Sequence, residues 1–527
     1  MTIRCSLFTC AALCTSAMGQ VIYHATPDWV SSDTPVSTGG ALVDLDRDGW
    51  LDFVVSNGND MAQQHVAVYY NLGDGTFPST PDWQSSDFVY NGHLDVADVN
   101  ADGWPDVAVA TLGSGGTQTG PIARLYQNNN GTLSSTPVWS APISGNAFGV
   151  GFGDMNLDGR PDLAIGTGWA YSPQASYRNY VHLNVGGALE ATASWVSTDS
   201  YHYQGVVWVS AFNNGRLDLV GVSSRTNMRM YKNLGTILEA TSSWYATDVT
   251  SPDSIMGTAG DVTGDGRRDL IIADNNQLSG GSGRFRQYNG SATTGFAKTA
   301  SWAYFDGYCS AVALADVDAD GDLDLATGAW WDSTRIFLNT GTGFGSSPGW
   351  SSSVTSVIEK IAFGDIDKNG LAPYTETIGA VSGQKLYYLS KQPIQEITSV
   401  RLDGTPLARS QYTFSREHGW VSVHAAPTTQ LEVSYTYSSK LDMAITNWDD
   451  TIGNYVYYNQ LVVMGDANCD GRTNLADIAP FTLLLIDPAA HHAIYPDCDV
   501  ATFCDLNEDG HLDGQDVPGF VQRLIAG

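Results

Sequence analysis

The sequence predicts an all-β chain of one four-stranded unit repeated about seven times, with a small helical tail. Three observations predict it. Tryptophan motifs recur at roughly fifty-residue intervals, a period typical of stacked or circular repeats. Five copies of an acidic pattern, D-x-(D/N/T)-x-D-G-x-x-D, recur in register with them. Between these markers the runs are short and rich in Val, Tyr, Trp and Thr, with 56 glycines in 527 residues, as many short strands and turns require.

Each unit opens with its tryptophan: Trp29, Trp83, Trp139, Trp195, Trp244, Trp302 and Trp350. A small-apolar strand and the acidic loop follow. An apolar strand comes next, as in Leu51-Asp-Phe-Val-Val55 and Leu323-Asp-Leu-Ala-Thr327, then an aromatic strand ending in Asn, as in Val68-Tyr-Tyr-Asn71 and Ile336-Phe-Leu-Asn339. Four short strands per period indicate propeller blades. The expectation is a seven-bladed β-propeller, with eight blades as the alternative.

The acidic loops carry the chemistry. They are Asp44/Asp46/Asp48/Asp52, Asp98/Asn100/Asp102/Asp106, Asp154/Asn156/Asp158/Asp162, Asp261/Thr263/Asp265/Asp269 and Asp316/Asp318/Asp320/Asp324. Oxygen side chains at alternate positions converge on one point if the backbone curls, and the glycine at position 6 supplies the turn. So many hard oxygen ligands suit calcium rather than zinc or copper. In the fourth unit Ser210, Phe212, Asn214 and Asp218 hold these positions. Phenylalanine cannot coordinate, so that loop is expected to keep its fold and lose its metal. In the seventh, Asp365, Asp367 and Asn369 begin correctly, but Pro373 stands in place of the last Asp, and Glu376 is expected to complete the set.

After Lys385-Leu-Tyr-Tyr388 the pattern breaks. Residues 393–440 read as an inserted small β-module, with a hairpin turn at Leu402-Asp-Gly404. Unit sequence resumes over 441–460, from Leu441-Asp-Met-Ala-Ile445. Asp442 falls where a loop's last aspartate would stand, the observation behind the eight-unit alternative.

These units resemble the FG-GAP/VCBS repeats of calcium-loop β-propellers, the architecture of the integrin alpha head. The resemblance covers roughly residues 21–460 and places the propeller at 20–392 and 441–460. It implies calcium on one rim, bound by side chains at loop positions 1, 3, 5 and 9 and by the carbonyl at position 7.

A different motif ends the chain. Asp466, Asn468, Asp470 and Asp477 occupy positions 1, 3, 5 and 12 of one loop, and Asp505, Asn507, Asp509 and Asp516 repeat the set. Helical spacing follows each, with Phe481 matching Phe520. Residues 465–527 closely resemble a type I dockerin, the anchoring module of bacterial polysaccharide-degrading systems. The resemblance implies a cohesin-like partner, with Gln522 and Arg523 as contact residues. An insert separates the halves. Four cysteines outside the N-terminal segment, Cys309, Cys469, Cys498 and Cys504, allow three pairings, and sequence does not choose; Cys469 with Cys498 would clamp the insert.

Residues 1–19 read as a secretory signal peptide: Arg4, a small-residue apolar stretch, then Ala17-Met18-Gly19. The expected location is secreted, extracellular or cell surface, with no transmembrane segment. A formal charge of −31, from 56 acidic and 25 basic residues, argues against a nucleic-acid partner. No nucleophile motif or zinc-binding C-x-x-C is present, and no catalytic residue is assigned. Trp50, Trp104, Trp169, Trp330 and Trp331 are expected near the calcium rim, placed to stack on sugar rings. The favoured function is a glycan- or protein-binding module on the loop-bearing face. The alternative is a carbohydrate-active enzyme, a polysaccharide lyase or glycoside hydrolase.

Overall fold

The computed structural model describes residues 22–112, 120–168, 177–248, 253–278, 280, 283–449, 451–461, 464–468, 473–495, 498, 503–507 and 510–526. The signal segment 1–19, Trp169, Cys469, Asp470 and Asp509 lie outside the described residues.

The first sheet sets the pattern: Ser37–Val43, Asp52–Gly58, Gln63–Tyr69 and Trp83–Gln84, antiparallel and in chain order. All of Asp52–Gly58 is buried, so its apolar run is continuous rather than alternating, because other sheets cover both faces. Sheets beginning at Tyr90, Ala147, His202 and Ser254 repeat this order. A six-stranded sheet closes the series. In it the long strand Trp350–Gly364 serves twice: Trp350–Val357 pairs with Asp324–Phe337, and Ile358–Gly364 pairs with Asp442–Asn447.

The tryptophan strand that opens each sequence unit is the outermost strand of the preceding sheet, as Trp83 pairs with Val68. Sheets and sequence units are therefore offset by one strand. The offset links the ends of the chain: Trp29–Val30 pairs with Tyr455–Tyr457 and completes the last sheet. The indoles bridge neighbouring sheets, with Trp244 Nε1 donating to Phe296 O at 2.9 Å and Trp350 Nε1 to Tyr23 O at 2.8 Å.

The innermost strands pack side by side in a closed series: Ser37–Val43 on Tyr90–Ala97, then Ala147–Gly153, His202–Val209, Ser254–Gly260, Tyr308–Ala315, Trp350–Gly364, and back to Ser37–Val43. Gly149 permits the close approach: a Cβ there would lie 2.6 Å from Gly205 Cα. Apolar clusters fill the spaces between sheets, as Val54, Val66 and Val68 of the first meet Leu94, Val107 and Val109 of the second. This is a β-propeller-like fold, which closes its sheets on one another and leaves few free edges.

The inserted module is larger than the sequence suggests. Its two sheets are Leu371–Gly379, Gln430–Ser438, Glu396–Leu402 and Thr405–Pro406, and Leu386–Tyr388, Trp420–Val423 and Tyr412–Ser415. Residues 371–388, assigned from sequence to the repeats, pair with strands of the insert, and Tyr387, Val421, Val433 and Tyr435 share one core with them. The hairpin at Leu402 is as expected: Leu402 pairs with Thr405 across Asp403 and Gly404, both at positive φ.

The tail holds α1 (Ile478–Ile486), α2 (Pro488–Ile494) and α3 (Val517–Ala526). Phe481 and Phe520, matched residues of the two halves, stack at 4.0 Å with an interplanar angle of 5°. Around them are Ala467, Leu484 and Cys504. Cys498 is disulfide-bonded, whereas Cys309 and Cys504 are free and buried. His491 is buried and meets Ala467 O at 2.6 Å through Nε2, while the adjacent His492 is exposed. No described helix is long and apolar enough to cross a membrane.

Candidate functional site

The acidic loops join the first and second strands of each sheet and share one frame. The amide of glycine 6 donates to aspartate 1: Gly49 to Asp44 at 3.0 Å, Gly103 to Asp98 at 2.9 Å, Gly159 to Asp154 at 2.8 Å, Gly266 to Asp261 at 2.8 Å and Gly321 to Asp316 at 3.0 Å. Aspartate 9 opens the second strand and accepts two amides. Asp52 takes Leu45 N at 2.8 Å and Asn71 N at 3.0 Å; Asp324 takes Val317 N at 2.9 Å and Asn339 N at 2.8 Å. Position 4 sits in the left-handed region in each loop, at φ 58° for Arg47, 60° for Ala101 and 58° for Ala319. Strain repeated at equivalent non-glycine positions marks a shape imposed on the chain.

Adjacent loops are tied by the asparagine that follows the third strand, except between the fourth and fifth loops, where Asn213 Nδ2 of the fourth donates to Gly266 O at 3.1 Å. Asn128 Nδ2 donates to Leu45 O at 2.9 Å, Asn184 to Val99 O at 2.7 Å, Asn233 to Met155 O at 2.9 Å, Asn339 to Val262 O at 2.8 Å and Asn459 to Val317 O at 3.0 Å. Asn71 Nδ2 reaches Ile366 O at 3.2 Å, joining the last loop to the first. In sequence this asparagine marks only the end of a strand; its bridging role depends on the neighbouring sheet. Loop tryptophans pack into the same seam. Lys368 Nζ lies 3.8 Å from the Trp50 ring centroid, and the Arg47 guanidinium lies 5.4 Å from that of Trp104.

The loops concentrate charge without neutralising it. Ligand oxygens of Asp44, Asp46 and Asp48 lie within 4.8 Å of one another, as do those of Asp316, Asp318 and Asp320 and those of Asp365, Asp367 and Asp442. Among the described residues, buried oxygens of Asp44, Asp316, Asp318 and Asn369 have no hydrogen-bond partner. Burial, reinforced by neighbouring carboxylates, pushes Asp44 up to about 6, Asp52, Asp106 and Asp316 to about 7, and Asp324 to about 8. Orphaned oxygens in an all-oxygen donor set fit a divalent hard cation.

The second, third and fifth loops carry an amide or a hydroxyl at position 3 in place of a carboxylate. None of them brings three carboxylates within that distance. In the second, Asn100 Nδ2 donates to Asp102 Oδ2 at 2.8 Å, and Asp102 N donates to Asp98 Oδ1 at 3.1 Å. In the third, Asn156 Nδ2 donates to Asp158 Oδ2 at 3.3 Å, Asp158 N donates to Asp154 Oδ1 at 2.9 Å, and the Arg160 guanidinium lies 3.7 Å from Asp158. In the fifth, Thr263 Oγ1 donates to Asp269 Oδ2 at 3.1 Å, and Asp265 pairs with the Arg267 guanidinium at 3.4 Å. The bonds of Asn100 and Asn156 use their amide hydrogens and leave the amide oxygens to face an ion, as does the bond from Asn369 Nδ2 to Asp367 Oδ2 at 2.8 Å in the seventh loop. An amide or hydroxyl at position 3 carries a donor that turns onto the nearest carboxylate, whereas the aspartates of the first and sixth loops carry none.

The fourth loop keeps the frame: Asp218 accepts Ala211 N at 3.0 Å and Asn233 N at 2.8 Å. Phe212 occupies position 3, with Lys232 Nζ 4.3 Å from its ring centroid, so a fixed ammonium stands beside this loop. The seventh loop is completed differently from the sequence expectation. Gly370 N donates to Asp365 at 3.0 Å, and Ile366 N donates to Asp442 at 2.7 Å. Asn459 N donates to the other Asp442 oxygen at 2.8 Å, as Asn71 does to Asp52. The insertion enters the loop after Gly370, and the chain returns at Leu441 to supply the ninth position. Glu376, expected to complete the set, lies on Leu371–Gly379 and instead accepts Ser390 N at 3.0 Å and Tyr435 Oη at 3.1 Å.

The insert lies over the loop-bearing side. Arg409 Nε meets Asp98 at 2.9 Å, Ser422 Oγ donates to Asp154 at 2.7 Å, and Ser438 Oγ to Asp365 at 2.7 Å. Its Glu417 pairs with Lys360 Nζ at 2.9 Å beside a central cavity of about 160 Å³. The insert thus obstructs the middle of the face on which a ligand was expected. Trp330 and Trp331 also depart from expectation. They follow Asp324 by six and seven residues along a strand, about 20 Å at the usual rise. Trp330 pairs with Tyr308, the first residue of its partner strand, at the opposite end from the loop.

The tail repeats its own loop geometry. Asp477 Oδ1 accepts Ala467 N at 2.9 Å and Asn468 N at 3.2 Å; Asp516 Oδ1 accepts Leu506 N at 2.7 Å and Asn507 N at 3.2 Å. Gly510 N donates to Asp505 at 2.8 Å. Gln522 and Arg523 are exposed on α3.

Comparison with known proteins agrees with the repeats. Residues 44–109, 98–165 and 261–327 match the model of an FG-GAP-like repeat. These stretches hold the five loops with the full sequence pattern; the fourth and seventh fall outside them. No curated protein matches the chain. Among solved structures, the chain is similar to the crystal structure of Saccharomyces cerevisiae Sqt1 at 9% identity, over 84% of this chain and 100% of that one, with a TM-score of 0.43. Two structures of BBS1N in complex with ARL6DN are also similar. The one soaked with lead is 12% identical over 65% of this chain and 90% of that one, with a TM-score of 0.43. The one soaked with mercury is 14% identical over 59% and 80%, with a TM-score of 0.36. The chain carries FG-GAP-like repeats in a β-propeller-like fold.

Proposed function

We propose that this is an exported, calcium-stabilised binding protein: a seven-bladed propeller capped on its loop-bearing face by the insert, with a dockerin-like tail that anchors it to a cohesin-like partner. The observation that carries the reading is the closed chain of acidic loops, joined by six strand-end asparagines and, between the fourth and fifth, by Asn213. Seven innermost strands in a closed series support the blade count, with the fused sheet contributing two blades. Calcium would be held most tightly where carboxylates already converge, in the loops at Asp44 and Asp316 and in the split loop of Asp365, Asp367, Asn369 and Asp442. The loops at Asp98, Asp154 and Asp261, with an amide or a hydroxyl in place of one carboxylate, would bind it more weakly. The two tail loops would hold one each. Such ions fix the rim, so that the scaffold presents its uncapped face rigidly. The signal segment and the tail's doubled loop support a role outside the cell, as a glycan- or protein-binding component of a polysaccharide-degrading assembly. The test is retention of the full chain, with calcium and with chelator, on immobilised polysaccharides and on surface proteins of the source organism. Calcium-dependent retention supports the reading; release of new reducing ends or unsaturated products would replace it with an enzymatic one.

A further inference from the structure

We propose that the face opposite the acidic loops holds a glycan-binding site for a neutral sugar residue, with Trp331 as stacking platform and Glu359 and Asn275 as hydroxyl partners. The proposal rests on the binding-module reading and deepens it.

The site arises from a feature shared by the innermost strands. Each has a register shift near the start of its pairing, between Ser37 and Gly39, Ala147 and Gly149, Tyr203 and Gly205, Ser254 and Met256, and Ile358 and Lys360, among others. A bulge leaves one residue out of the ladder and re-aims its side chain. The bulged residues Thr38, Phe148, Gln204, Ile255 and Glu359 line one cavity of about 60 Å³. The seventh position alone among these five carries a carboxylate.

Glu359 is 6% exposed, and its Oε1 accepts the indole N–H of Trp330 at 2.7 Å and that of Trp448. Among the described residues its Oε2 has no partner. Asn275 lines the same cavity at 2% exposure, and its buried Nδ2 has no hydrogen-bond acceptor among the described residues. An acceptor and a donor thus stand ready in one small cavity, a placement that buried polar groups hold only when something satisfies them. Burial pushes Glu359 up to about 8, which leaves it largely protonated at neutral pH and able to donate as well.

Trp331 supplies the surface. It sits at a second register shift, between Trp330 and Asp332, with φ 59°, and is 54% exposed. Its ring is held edge-on by Tyr308 at 5.8 Å, Trp330 at 6.0 Å and Trp448 at 6.2 Å. A strained, exposed indole braced by three other rings is a rigid platform. The rings touch one another, so they enclose no cage for an ammonium. Mixed donors and acceptors beside an aromatic face match hydroxyls, which do both. The cavity is too small for a whole ring, so the sugar stacks outside on Trp331 and places a hydroxyl inside. Among the described residues no basic side chain lines the cavity, and Asp60 and Asp253 line it beside Glu359, which disfavours uronic acids.

The test is an array of neutral, amino-bearing and uronate oligosaccharides, probed with the full chain in calcium. Retention on neutral glycans is expected, weakened about tenfold or more by Trp331→Ala and by Asn275→Ala, and unchanged by Trp50→Ala on the other face. Because Trp331 is more than half exposed, its loss should lower the melting temperature only slightly and leave the fold intact. No retention of neutral glycans, preference for amino-bearing or uronate glycans, or equal retention by Trp331→Ala would overturn the proposal. Calcium-dependent capture of a protein in that event would leave the broader binding reading standing.

Discussion

The backbone amide of Ile366 donates to the carboxylate of Asp442 at 2.7 Å, across 76 positions of sequence. Every other loop makes this contact within seven, as Leu45 does with Asp52. The insert is therefore spliced into a loop, and both of its ends are held there.

Asp442→Ala should reduce bound calcium by one per chain and strand the buried amides of Ile366 and Asn459, at about 1–3 kcal/mol for each unsatisfied group. Glu376→Gln should leave the calcium count unchanged. Native mass spectrometry and thermal melts distinguish them; metal loss in the Glu376 variant would restore the sequence-based assignment.

Asp318→Ala removes a central oxygen from the sixth loop and should also reduce the count by one. Asn214→Ala in the fourth loop, where Phe212 and Lys232 replace ligand and charge, should not. Equal loss in both variants would show that the fourth loop holds a metal.

Stability in chelator should fall as pH rises. Asp52 at about 7 and Asp324 at about 8 lie above the unfolded carboxylate value of about 3.9. The folded state thus binds more protons, and its advantage is lost as pH climbs through these values. The calcium-free melting temperature should drop from pH 5.5 to pH 8. In calcium the trend should reverse, because the ion needs ionised ligands and protons compete with it. A calcium-free melt that rises over this range would contradict the assignment of these carboxylates.

Phe481→Ala removes one face of the only ring pair stacked across the tail's two halves among the described residues. Core truncations of this kind cost about 3–5 kcal/mol, more than so small a core readily absorbs. The tail should become protease-sensitive even in calcium, with the propeller melt unchanged. A tail that stays resistant would mean that its two halves do not depend on this contact.

Much of this was legible because it is local. The five patterned loops, their strands and the paired tail loops each lie within a dozen or so residues, and their oxygens are spaced by the backbone itself. Spacing alone did not reveal the hydrogen bonds within each loop. Asn100, Asn156 and Thr263 fit the pattern as oxygen donors, yet each also carries a hydrogen that it gives to a carboxylate of its own loop. The other misses are non-local. The return of unit sequence at Leu441 is legible, but nothing in sequence shows that Asp442 completes the loop left at Gly370 in place of Glu376, rather than closing an eighth unit. Trp331 was assigned to the calcium rim because one strand's length separates it from Asp324, and a strand carries the chain to the opposite face. The bulge that turns Glu359 toward Trp330 and Trp448 depends on pairing with Asp442–Asn447, a strand from beyond the insert.

The central claim is that the acidic loops are calcium sites that hold the ring together. Native mass spectrometry of the full chain, titrated with calcium and followed by a melt in excess chelator, tests it directly. About eight calcium ions per chain should bind at saturation, six on the rim and two in the tail, and chelation should lower the melting temperature markedly. A chain that binds no calcium and melts at the same temperature in chelator at neutral pH would contradict it.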